Sequence, residues 1–440
     1  MTFGEWAQQF SSCRKTKPQL LLGFFPGKTP SGAGDTSPRS PSANWESTLT
    51  LLLVVAAFLA GCGNFWQAPS GSGSNNNNNN NNGGGTTASS GTFYILNNGV
   101  TPQIVGESIV SGQLTAISGS PWPLPEPPYS MAISPNGNYL YVSTQAGVYT
   151  YPISAGSLGA GGQVTSDTTA LAIQVDPSGN WLIEALQTTD GVTLAAVPIS
   201  PSSGALDGTE VTSTYSVNNG SVQQGQIAIS SDDKNVFVAL GAGGAIVVPF
   251  NAKAAAGVVP FGINGTVIPV TNASGSVLSV AVDPATRLFY VGETLANSAG
   301  NSGGLFAFNY SSLGSSKLTQ ATGSPIASAG LAPNFILPNS NGGYVYVGNG
   351  QGISSAGNIT GFSITTSGTA HTIVSDGTVA AGQQPSGLAE DSSGTFLLGV
   401  NSLGSPYFNA YTFSSTVAGQ LTSQITANTG SAPIAVVAAP

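Results

Sequence analysis

The chain has 440 residues, with 59 Gly, 28 Pro, only 6% charged residues and a formal net charge of −9. Runs of Ala, Leu, Glu, Lys or Arg are scarce, which excludes a fold built on long helices. After Cys62 only Lys234, Lys253, Arg287 and Lys317 oppose fifteen acidic residues; that excludes a phosphate-tracking nucleic-acid surface and leaves the acidity as an aid to solubility.

Residues 1–48 form an N-terminal extension that ends near Trp45-Glu46. A signal peptide opens on a short basic segment instead, so a start codon assigned too far upstream would account for this stretch. Residues 49–61, LTLLLVVAAFLAG, are apolar but too few to span a bilayer. They suit the apolar core of a signal peptide. They run into Leu59-Ala60-Gly61-Cys62, which resembles a bacterial lipobox. The segment 49–62 then reads as a lipoprotein signal, with Cys62 as the acylated N-terminus and membrane anchor. The expected address is the bacterial cell envelope, on the outer membrane or facing the periplasm. The alternative is a buried apolar segment with an incidental Cys.

Residues 63–91 are a linker rich in Asn, Gly and Ser, including eight consecutive Asn. Such a composition cannot form a core. A flexible stretch of this length spans about 25–30 Å, enough to hold a folded body off a membrane. Cys13 lies upstream of the lipobox, so the body carries no Cys for a disulfide or a metal.

A repeat fills residues 92–440. PYSMAISPNGNYLYVSTQAGVYTYPI from Pro128 reads as strand, turn, strand, short loop, strand. Copies begin at Leu171, Gly225, Leu278, Phe335 and Ser386. Turn anchors at Pro135, Pro177, Ser231, Pro284, Pro338 and Ser392 are spaced by 42, 54, 53, 54 and 54 residues. A fourth strand follows in several units; GQLTAISGSP from Gly112 and KLTQATGSP from Lys317 are near copies. Four strands at this period predict a β-propeller blade.

Six copies of the leading strand pair are present. Residues 92–117 match the second to fourth strands of a further blade, and PIAVVAAP near the C-terminus matches a first strand. Pro433 to Pro440 spans the same seven residues as Pro128 to Pro135 and Pro385 to Ser392. The prediction is an all-β, seven-bladed propeller whose N-terminal blade is closed by the C-terminal strand, which removes an open sheet edge. An open β-solenoid is the alternative.

The pattern from Pro128 to Val142 and the G-x-L-T…G-S-P connectors resemble the lactonase-like seven-bladed propellers and are similar to the YVTN-repeat surface propellers. The lactonase-like group includes 6-phosphogluconolactonase, so the resemblance implies hydrolysis of a lactone or sugar-derived ester as one candidate activity.

In a propeller, the loops after the second strand and those between blades gather at one mouth of the channel. The second strands end at Asn97, Thr144, Leu186, Leu240, Glu293, Asn349 and Asn401. Asn97, Glu293, Asn349 and Asn401 would form a polar arc for a hydroxyl-rich ligand, joined by Glu126, Gln223, Gln224, Asn334, Gln383 and Gln384 from the interblade loops. The same asparagines could instead cap their own loops. Glu293 and Glu126 are the candidate general bases. His371 falls near an outer strand of the sixth repeat and reads as a surface histidine. Asp176-Pro177 and Asp283-Pro284 read as turn formers. One His and no usable Cys supply no zinc set, and no cofactor is expected. The sequence thus supports a monomeric envelope-anchored binding or scaffold module for a small-molecule or protein ligand, with a lactonase-type hydrolase as the alternative.

Overall fold

The computed structural model describes residues 90–165, 170–295, 303–315, 317–350 and 355–440; residues 1–48, the segment 49–62 with Cys62, and the linker up to residue 89 lie outside them. Seven antiparallel sheets of four or five strands succeed one another along the chain. They are the seven blades of a propeller, and the described helix is a single 3-10 turn, Tyr310–Ser312.

Strands are named a to d from the channel outward. The a strands are Pro433–Ala438 in blade 1, Pro128–Ile133 in blade 2, Ala170–Val175 in blade 3 and Ile227–Ile229 in blade 4. Val277–Val282, Ala332–Pro338 and Gln383–Glu390 serve blades 5, 6 and 7. The b strands are near-continuous apolar runs: FYILN of Phe93–Asn97 and NVFVA of Asn235–Ala239 are buried almost throughout. Blades cover both of their faces, so alternation gives way to unbroken hydrophobicity. The outer strands behave oppositely. VTSTYS of Val211–Ser216 exposes every second residue, as a half-covered edge does.

The ring closes as expected. The a strand of blade 1, Pro433–Ala438, pairs antiparallel with its b strand, with Tyr94 opposite Val437 and Leu96 opposite Ala435. Bonds from Asn98 N to Ala432 O at 3.0 Å and from Ala439 N to Thr92 O at 2.8 Å extend the match at both ends.

Each a–b hairpin carries the same cap. The residue closing the a strand is Ser134, Asp176, Ser230, Asp283, Asn339 or Asp391, and all six are buried. Its side chain accepts a backbone N–H of the turn or of the following strand: Tyr139 N at 3.0 Å for Ser134, Trp181 N at 2.5 Å for Asp176, Tyr344 N at 2.9 Å for Asn339 and Phe396 N at 2.6 Å for Asp391. The reading of Asp176 and Asp283 as turn formers matches this geometry. The cap also corrects one anchor. Asn339 holds the capping place in blade 6, so Ser340, not Pro338, is the counterpart of Pro135, and Pro338 is still within the a strand.

Tyrosines strap one blade to the next. Tyr94, Tyr141 and Tyr346 occupy one position of the b strand, and their hydroxyls donate to Gly156 O, Gly204 O and Gly419 O of the following blade. The two near-copy connectors also fold alike. Ser120 Oγ accepts Gly106 N at 3.0 Å and Ser324 Oγ accepts Ala307 N at 2.9 Å, each tying the connector to a c strand of its own blade.

Candidate functional site: the amide-lined channel mouth

The seven a strands surround a central cavity of about 490 Å³ that reaches from Gln226 and Ser386 at one end to Ser340 and Glu390 at the other. A second cavity of about 230 Å³ opens at the first end. The two share Gln226, Ser386 and Ile434, so mouth and bore are continuous. The bore is lined by apolar residues such as Ile173, Ile227, Val280, Leu388 and Val436.

The polar residues of the mouth are Gln223, Gln224, Gln226, Asn334, Ser386 and Ser402. Most are held in place by the backbone. Gln224 Nε2 reaches from the blade 3–4 connection to Tyr129 O of blade 2 at 2.9 Å. Gln223 Nε2 donates to Ser221 O at 2.8 Å. Asn334 Nδ2 donates to Gln384 Oε1 and to Pro385 O, both at 3.2 Å. Ser386 Oγ donates to Pro433 O at 2.7 Å, and Ser402 Oγ to Gln384 O at 3.2 Å. These bonds use the amide N–H groups, and the amide oxygens of Gln223, Gln224 and Asn334 are left for other donors.

Gln226 differs from its neighbours. It is 6% exposed, it borders both cavities, and its carboxamide makes no hydrogen bond among those of the described residues. Its amide atoms open to the cavities rather than being sealed, so both its donor and its acceptor are free to bond a ligand. Its counterparts four residues before the hairpin cap are Ser130, Ala172, Ser279, Phe335 and Gly387. It is the sole carboxamide in that set. That is a signal the repeat alignment contained.

The expected arc lies deeper. Asn97, Thr144 and Glu293 end their b strands and Asn349 and Asn401 lie one and two residues from the ends of theirs, each opposite one of the first three residues of an a strand. All are at most 2% exposed. Most of their polar atoms hold loops, while Asn97 Oδ1 and Asn349 Oδ1 are buried without a partner. Asn97 Nδ2 donates to Thr429 O at 3.0 Å. Glu293 Oε1 accepts Thr271 N at 2.8 Å, Thr271 Oγ1 at 3.0 Å and Asn272 N at 3.1 Å. Asn349 Nδ2 lies within hydrogen-bond distance of Ser328 O, Val347 O, Asn358 Oδ1 and Thr360 Oγ1. Asn401 Nδ2 donates to Pro406 O at 3.1 Å and to Asn409 Oδ1 at 2.8 Å. The loop-capping alternative describes this geometry.

Of the interblade residues, Gln223, Gln224 and Asn334 line the mouth, and Gln384 reaches it through Asn334. Gln383 pairs with Leu403 in blade 7. Glu126 is half-buried in the blade 1–2 connection and borders neither cavity. His371 is on the outermost strand of blade 6, Ala370–Ala380, as expected, but it is covered rather than exposed. Its Nδ1 is 3.1 Å from Thr366 Oγ1. Burial, and secondarily the Arg287 charge, hold its pKa below the ordinary histidine value. No group of three or more His, Cys, Asp or Glu placed to hold a metal occurs among the described residues.

Such a mouth can hold an uncharged, hydroxyl-bearing molecule through several amides. No carboxylate, imidazole or cation lines it among the described residues.

No protein-family model and no curated protein matches the sequence. Solved structures do. The chain is similar to a protein assigned as a 6-phosphogluconolactonase in Bacteroides fragilis, at 15% identity and a TM-score of 0.56, covering 80% of this chain and 98% of that one. It is similar to the periplasmic gluconolactonase of Pseudomonas aeruginosa, at 15% identity and a TM-score of 0.55, covering 80% of this chain and 100% of that one. A Lactobacillus plantarum protein matches at 15% identity and a TM-score of 0.55, over 79% and 99% of the two chains. The chain therefore has the seven-bladed propeller fold of these lactonase-like structures.

Proposed function

We propose that the protein is an envelope-anchored binding module that takes an uncharged, hydroxyl-rich ligand at the channel mouth. The observation that carries this reading is the carboxamide of Gln226, which makes no hydrogen bond among the described residues and opens to the cavity where mouth meets bore. Gln223, Gln224 and Asn334 surround it with amide oxygens, which suit sugar hydroxyls. The lipobox at Cys62, the linker over 63–91 and the resemblance to surface propellers support display on a lipid anchor outside the cytoplasm. The folded body acts as a monomer in this reading. Saturation-transfer NMR with neutral monosaccharides and sugar lactones tests the ligand. Saturable signals for neutral sugars are expected, and none for any member of the panel would overturn the reading. Labelled palmitate incorporation tests the anchor, and Cys62→Ser is expected to abolish it.

The fold likeness to the two lactonase-like proteins favours a second reading, hydrolysis of an unphosphorylated lactone. Glu126 or Glu293 would then assist water. Release of acid from glucono-lactone, lost on Glu126→Gln or Glu293→Gln, would favour the enzyme. Binding without turnover would favour the module.

A further inference from the structure

At the channel end opposite the amide mouth, the a–b hairpins of adjacent blades meet in a ring of seams. Their fourth residue has a left-handed backbone in each case: Gly137, Gly179, Gly342 and Gly394 in four hairpins, Asp233 in blade 4 and Thr286 in blade 5. Aspartate tolerates that conformation less well than glycine, so Asp233 stands where the backbone disfavours it.

The seam between blades 5 and 6 shows what the caps can require. Asp283 is buried, and Arg287 answers it, with Nη2 on Oδ2 at 2.6 Å and Nε on Oδ1 at 3.2 Å. The same Nη2 donates across the seam to Gly342 O. In the seam between blades 3 and 4 the corresponding cap is Asp176. Asn180 stands in place of Arg287 and turns to Ala252 O at 3.3 Å. Asp233 stands in place of Gly342. A second acid thus replaces both the cation and the carbonyl it bridged.

One oxygen of each carboxyl is sealed without a donor. Asp176 is 0% exposed. Its Oδ1 accepts Trp181 N, and its Oδ2 is buried without a donor. Asp233 Oδ2 accepts the Ser178 hydroxyl, and its Oδ1 is likewise buried without a donor. Lys234, the cation of the same hairpin, turns to Asp232 at 3.1 Å, and the Tyr310 hydroxyl from blade 5 also meets Asp232 at 2.8 Å. The blade 2 hairpin presents Pro135 to Gly179 and brings no charged side chain there.

We infer that Asp176 keeps its proton in the folded seam between blades 3 and 4, making this seam a clasp that holds in mildly acid solution and loosens as the pH rises. Two like charges at one buried site cannot both ionise cheaply. A proton on Asp176 removes the charge from a buried carboxyl whose Oδ2 has no donor. A hydrated divalent cation would need several more oxygens and room at the site, and both oxygens are closed to solvent. Burial first, and the Asp233 charge in addition, push Asp176 up to about 6 against the lowering effect of the Trp181 N–H. With the folded value above the unfolded one, the stabilisation is fully present below the unfolded pKa and is lost as the pH rises through about 6.

The test uses the full chain at pH 5 and pH 8, with melting temperatures and amide-exchange protection of the hairpins 176–181 and 230–235. The wild type is expected to melt several degrees lower at pH 8, with protection in these two hairpins falling before that of the other seams. Asp233→Gly, which restores the common residue of the hairpins, is expected to melt higher than wild type at pH 8 and to flatten the pH response. Asp233→Asn removes the charge with the shape kept and is expected to flatten it too. Equal pH responses in wild type and both variants would overturn the clasp. A rise in the wild-type melting temperature on adding calcium chloride at pH 8, absent in Asp233→Asn, would also overturn it and point to a cation.

Discussion

Ile95 in the b strand of blade 1 lies opposite Val436 in its a strand. Ile95, Val436 and Phe93 pack in one cluster with Phe396, Leu398 and Phe408 of blade 7, and the Phe93 and Phe408 rings stack with centroids 5.4 Å apart. A single sheet thus joins segments from both ends of the folded region and seals two blade interfaces.

Deleting residues 432–440 removes this strand. Each buried aliphatic side chain it carries or covers is worth about 1.5–3 kcal/mol, and the b strand of blade 1 becomes an open edge. The truncated chain is expected to aggregate or to unfold in thermal melts, and a preserved melting temperature would refute the closure.

Among the described residues, Arg287 is the one cation that answers a buried cap. Arg287→Ala leaves Asp283 as a buried charge without its partner, which costs about 3–5 kcal/mol. Asp283→Asn in the same background should recover part of that loss, read by chemical denaturation.

The tyrosine straps allow a paired comparison. Tyr141→Phe removes the bond to Gly204 O, with an expected loss of about 1 kcal/mol. Tyr290 occupies the same b-strand position in blade 5, but its hydroxyl is buried without a partner. Tyr290→Phe should be neutral or stabilising. A loss at Tyr290 equal to that at Tyr141 would contradict the account of the straps.

Asn349 is fully buried, and the two N–H groups of its Nδ2 lie within reach of Ser328 O, Val347 O, Asn358 Oδ1 and Thr360 Oγ1. Asn349→Ala should cost about 1–3 kcal/mol by leaving those acceptors unmet.

The ring was legible because each blade repeats two local rules: a buried b strand that reads apolar throughout, and a turn capped by Ser, Asp or Asn. Those rules place Asn97, Glu293, Asn349 and Asn401 at equivalent strand ends. They say nothing about side-chain direction, which depends on loops such as 269–276 that fold back and use Glu293 Oε1. Blade 6 slipped by two residues because Pro338 mimics the anchor that Ser340 fills. Gln226 was hidden for a different reason: it directly precedes the short a strand Ile227–Ile229, in a stretch, GQIAI, that reads as ordinary core. The Asp176–Asp233 seam needed the packing of two blades whose hairpins are about fifty residues apart.

The most direct test of the binding account is a calorimetric titration of neutral sugars and glucono-lactone into wild type, Gln226→Leu and Asn349→Ala. Gln226→Leu keeps the size of the side chain and removes its amide. The account predicts at least a tenfold loss of affinity in Gln226→Leu with an unchanged melting temperature, and unchanged affinity with a lowered melting temperature in Asn349→Ala. Undiminished binding in Gln226→Leu, or binding lost only in Asn349→Ala, would contradict it.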